Sequence, residues 1–147
     1  MESLDLQTWL VMPWHEHLAV LLARLAIGGC FVIHGLGKLG LVGSGNMQGF
    51  VDWLTSLGVP FAPIQARMAM ASEITGGSLL ALGLFTRPAC LLLIFTMIVA
   101  GRLGHKGAGY LITNNPPGAE YTINLAVICG LFFALGPGGL SLDALLW

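Results

Sequence analysis

Charge is scarce in this sequence. Its 147 residues include 6 Lys and Arg and 7 Asp and Glu, 9% in all, where soluble domains carry roughly 25%. A water-facing surface cannot be built from so few ionisable groups. The net charge of -1 also excludes the basic footprint of a nucleic-acid partner. Paired thiols are missing: Cys30, Cys90 and Cys129 each stand alone in an apolar run, with no CxxC among them. That disfavours a chain passing electrons to quinone through exchangeable cysteines, and the three read as small core residues. No Lys or Arg precedes Arg24, so a cleaved signal peptide is not expected. No flavin, haem or iron-sulfur motif is recognisable, and no dedicated metal site is expected.

What remains is apolar. Hydrophobic residues make up 56%, mean hydropathy is +0.84, and the apolar residues fall in runs near the ~20 needed to cross a bilayer. The sequence predicts an all-α membrane protein, a four-transmembrane-helix bundle forming one domain over 1–147, with spans near 17–38, 64–85, 88–105 and 119–136. Trp9 and Trp14 around Pro13 suit a headgroup-level segment before the first span. Pro60 and Pro63 suit a helix start, and Thr86-Arg87-Pro88 a tight turn. Phe50, Trp53, Leu54 and Leu57 follow helical spacing and predict a short interfacial helix; the tail from Ser141 is too short to span. Glu73 and Gly83 share their interval with Glu120 and Gly130, which hints at two helical hairpins arranged as repeats.

Ionisable groups inside hydrocarbon cost at least ~2.5 kcal/mol each and therefore turn toward protein or a wet cavity. Those within or at the ends of the runs are Arg24, His34, Lys38, Glu73, Arg102, His105 and Glu120. In an up-down bundle the end of span one, the start of two, the end of three and the start of four share one side. His34, Lys38, His105 and Glu120 thereby converge on one rim. Glu73 lies deeper, roughly 14 Å into span two, within reach of Arg24, so a buried Arg24–Glu73 pair is expected to hold register. His34 and Lys38 are one turn apart, as are Glu120 and Asn124. Lys38, Arg102 and Lys106 can also snorkel to headgroups, and Arg87 reads as an interface anchor. Two histidines with two carboxylates can bind a polar head group or relay protons. Gly28, Gly29, Gly35, Gly37, Gly76 and Gly77 admit close helix approach.

With these residues located, the chain resembles the DoxX family of small bacterial membrane proteins from Leu22 to Leu145. The likeness is carried by Arg24-Leu25, His34-Gly35 with Lys38, Leu57-Gly58 with Pro60, and Glu73 with Gly76-Gly77. It continues through Leu82-Gly83-Leu84 with Thr86-Arg87, His105, Glu120, Leu135-Gly136-Pro137-Gly138 and Ser141-Leu142-Asp143. The resemblance implies a four-helix fold in the bacterial inner membrane and work beside redox chemistry, since family members are similar to the large subunit of a thiosulfate:quinone oxidoreductase.

Two readings stay open. One is a quinone-coupled oxidoreductase or its membrane subunit, in which His34, Lys38, Glu73, His105 and Glu120 supply donors and protons and Arg24, His34 and Asn124 help hold the quinone; a small sulfur compound or a partner subunit then supplies the electrons. The other is a non-catalytic binding or assembly component of a larger complex. A metal held by His34, Glu73, His105 and Glu120 is chemically conceivable, but no ExxH spacing supports it. Lys38, Arg67, Arg102 and Lys106 border the two longer loops, which the positive-inside rule places in the cytoplasm.

Overall fold

Glycine and proline decide where the apolar runs stop being helical. The computed structural model describes residues 13–146, all helix, turn and loop, with no strand among them; the segment around Trp9 lies outside the described residues. Helix α1 covers Pro13–Leu39, α2 Met47–Ser56, α3 Ala62–Leu82, α4 Thr86–Gly104, α5 Glu120–Leu135 and α6 Asp143–Leu146. Trp14, expected at the headgroups ahead of the first span, sits in the first turn of α1. The second run ends at Leu82 instead of 85 because Gly83 takes a left-handed conformation (φ 65°) and caps α3. The interfacial helix expected around Phe50 forms as α2, whose N-terminus is capped by Asn46 Oδ1 accepting from Gly49 N at 2.8 Å.

The four long helices surround one core. α1 packs along α3, α4 along α5, and α3 against α4 joins the two pairs. Phe31 from α1, Leu80 from α3, Cys90, Leu93 and Met97 from α4, and Leu125, Cys129 and Phe132 from α5 are buried together. Cys90 and Cys129 are thus core residues. A smaller cluster of Leu54, Val59, Ala62 and Ala66 seats α2 on the start of α3.

The outside is apolar too. Leu22, Leu25 and Ile33 on α1, Leu91 and Phe95 on α4, and Val127 and Leu131 on α5 are exposed, so hydrocarbon is the solvent that suits this surface. Among the described residues two helices, Trp14–Leu39 and Thr86–Gly104, are long and apolar enough to cross a membrane, and Glu120–Leu135 is a shorter apolar helix. α3 is more polar, carrying Gln65, Arg67, Ser72, Glu73 and Thr75.

α1 and α3 associate by close backbone approach at small residues. A Cβ on Gly77 would sit 2.7 Å from Gly28 O and 2.8 Å from Phe31 Cβ, whereas one on Gly29 would meet nothing within 4 Å. Gly77→Ala is therefore expected to cost about 1–3 kcal/mol, and Gly29→Ala to be neutral or stabilising by up to ~1 kcal/mol, read from thermal melts in detergent. Equal effects would mean that this crossing does not set the pair's geometry.

The two glycines of the suggested Glu73/Gly83 and Glu120/Gly130 repeat are placed differently in their helices. Gly83 terminates α3, while Gly130 lies inside α5. The tail is also more than an interfacial end. Leu142 N donates to Leu82 O at 3.2 Å and Asp143 N to Gly83 O at 2.8 Å, so the tail is fastened across the α3–α4 turn.

Candidate functional site

One ion pair links the two most closely packed helices. Lys38, in the last turn of α1, meets Glu73 of α3 at 2.5 Å between Nζ and Oε2, with the two side chains 19% and 7% exposed. The pairing follows from the antiparallel register: Gly28 faces Gly77, Gly35 lies against Met70 and Ile74, and Lys38 reaches Glu73. Lys38 also stands over the Phe50 ring of α2 at 5.0 Å, a cation–π distance that adds to the anchoring of the ammonium.

Beside this pair opens a recess of about 580 Å³ lined by Ile33, His34, Gly37, Lys38, Phe50 and the loop 42–46. Its size lies within the ~300–1,000 Å³ of small-molecule sites. His34 is exposed at its edge, with its ring 5.2 Å from that of Tyr121 on α5. Tyr121 Oη lies 3.0 Å from Cys30 Sγ. Cys30, His34 and Lys38 are successive i, i+4 positions and project from one face of α1. Cys30 and Tyr121 are the residues that sequence reasoning left out of the site. The i, i+4 series points to the cysteine, while no sequence pattern marks Tyr121.

A second recess of about 250 Å³ lies beyond Tyr121, lined by Ile112, Glu120, Tyr121, Asn124 and Leu125. Here Glu120 Oε2 accepts from Ile112 N at 3.0 Å and Asn124 Oδ1 accepts from the Tyr110 hydroxyl at 3.3 Å. His105 Nδ1 lies 2.7 Å from Pro117 O. The expected convergence of all the ionisable groups is thus only partial. His34, Lys38 and Glu73 come together; His105, Glu120 and Asn124 are engaged with the 105–119 loop.

The expected Arg24–Glu73 pair is not made. Arg24 is fully buried, but its guanidinium donates to Leu140 O and, at 3.5 Å, to Ala81 O, with Asp143 acting on it electrostatically. It lies fourteen positions before Lys38, about 21 Å along α1, so it serves the opposite end of the helix pair. The register places Glu73 near the end of α1, where Lys38 is the cation within reach. Asp143 in turn holds the start of α4, accepting from Phe85 N at 2.7 Å and Thr86 N at 2.9 Å.

An apolar exterior, two membrane-length helices among the described residues and a polar cluster at one end of the bundle suit a small helical membrane protein. The DoxX family model matches residues 19–106. The chain is also 31% identical over 127 residues to the inner membrane protein YphA of Escherichia coli (strain K12), covering 84% of this chain and 87% of that protein. No solved structure matches. The chain belongs to the DoxX family and is a protein of the bacterial inner membrane.

Proposed function

We propose that the protein is a four-span membrane subunit that binds a quinone at the α1–α2 recess and serves quinone-coupled oxidoreduction, with a partner protein or a small sulfur compound as the source of electrons. The observation that carries this reading is the Lys38–Glu73 pair beside a recess walled by His34 and Phe50. Ile33, Val42 and Phe50 offer apolar surface for a planar ring, and the His34 imidazole and Lys38 ammonium offer hydrogen-bond donors for a carbonyl oxygen. The residues present therefore fit such a head group.

A bound quinone supplies an acceptor of two electrons and two protons. The protein's own part is to bind and to move protons. Glu73 holds the Lys38 ammonium in place, so that a proton stands at Nζ beside the recess. His34, exposed at the edge, can take up a proton from the aqueous face and pass it inward. The positive-inside rule assigns this end to the cytoplasm.

The engagement of His105 and Glu120 in loop hydrogen bonds favours a second reading, a non-catalytic binding or assembly component. Mass spectrometry of lipid extracts from the purified protein separates the two. Quinone is expected at about one per chain and largely absent from His34→Ala. Protein that carries no quinone, and takes none up when it is supplied, contradicts the first reading and leaves the second.

A further inference from the structure

Helices α1 and α5 flank the same core, yet their backbones barely approach one another. The Tyr121 side chain closes the seam between them. Its hydroxyl oxygen lies 3.0 Å from Cys30 Sγ, and its ring lies 5.2 Å from the His34 ring at an interplanar angle of 52°. Cys30 and His34 are one turn apart on the same face of α1, so the phenol runs along that turn and is held at both ends. Tyr121 takes no part in lining the larger recess, whereas His34 does. Its effect on a molecule in that recess must therefore pass through His34.

His34 needs a guide. Its side chain is exposed, and among the described residues no hydrogen bond fixes its ring. Lys38, by contrast, is held by Glu73 and stands over Phe50. An exposed imidazole samples several rotamers, those turned to lipid included. A ligand that uses one of them must bear the cost of ordering it. A ring standing against the imidazole from the α5 side removes part of that freedom before anything binds.

We infer that Tyr121 is a positioning residue: packed against His34 and braced on Cys30, it keeps the imidazole at the wall of the larger recess, ready to donate to a ligand there. This rests on the quinone reading above and adds to it a residue that touches no ligand yet sets how tightly one is held.

The test uses the full chain in detergent, decylubiquinone titration for affinity, and proton–carbon spectra of histidine-labelled protein, with the His34 signals assigned by their loss in His34→Ala. Tyr121→Leu removes the ring. It is expected to weaken binding by about 2- to 10-fold, the cost of ordering one free side chain, and to move the His34 signals while leaving those of His105 in place. Tyr121→Phe keeps the ring and is expected to restore affinity to within about 2-fold of the wild type. In a His34→Ala background Tyr121→Leu should have no further effect, because the residue it guides is gone. If Tyr121→Leu does not fold, Tyr121→Met carries the same test with a longer apolar chain. An equal loss in both backgrounds, or His34 signals that stay in place, would show that Tyr121 acts only on helix packing and overturns the proposal. Wild-type affinity in Tyr121→Leu, alongside a His34→Ala effect, overturns it and spares the quinone reading. A wild-type chain that binds no decylubiquinone overturns both.

Discussion

Glu73→Leu alone is expected to destabilise the protein by about 3 kcal/mol, whereas Lys38→Met/Glu73→Leu together should return to within ~1 kcal/mol of the wild type. Removing one member of a buried pair strands the other charge, and that penalty is commonly ~3–5 kcal/mol. The lower end applies because Lys38 keeps 19% of its side chain exposed, against 7% for Glu73. Removing both leaves two apolar side chains of similar bulk at the α1–α3 contact, with no stranded charge. Thermal melts in detergent of the two single variants and the double read this directly. A double variant as unstable as the sum of its parents would show that the two residues do not act on each other.

Gly83→Ala should be strongly damaging, at about 3 kcal/mol or more. Two costs coincide there. Gly83 has φ 65°, and its added Cβ would collide with the Arg24 guanidinium and lie 2.6 Å from Ser141 Cβ. Arg24 cannot step aside cheaply. It is buried, it donates to Leu140 O and Ala81 O, and any retreat would leave that charge without its partners. In an Arg24→Met background the same glycine change should cost clearly less, since a flexible apolar chain can yield. A penalty of equal size in both backgrounds would locate the damage in the backbone alone.

The helices were legible from their apolar runs and their glycine and proline punctuation; the ends differ most at the start of α1, which begins at Pro13, and at the end of α3, which a left-handed Gly83 stops at Leu82. The common face of His34 and Lys38 followed from helical periodicity. What composition could not give was the register of α1 on α3. That register is fixed by Gly28 meeting Gly77 and by Gly35 meeting Ile74, and it hands Glu73 to Lys38 instead of Arg24. The partners of Arg24 are main-chain carbonyls at Ala81 and Leu140, which no side-chain pattern announces. Asp143 similarly reads as one acid in a short tail until the α4 amides of Phe85 and Thr86 are seen to point at it. Tyr121 carries no charge to place it, and its position against His34 follows only from how α5 faces α1.

The claim on which the rest turns is that Lys38 and Glu73 belong to a ligand site and are more than a fastening between two helices. Decylubiquinone titration of the folded Lys38→Met/Glu73→Leu double variant tests it most directly. Binding weaker by more than about 30-fold, at near wild-type stability, is the expected result, since a hydrogen bond from a charged donor is worth ~1.5–3 kcal/mol and its positioning carboxylate is removed with it. Wild-type affinity in that variant would contradict the account and leave the pair a structural clamp.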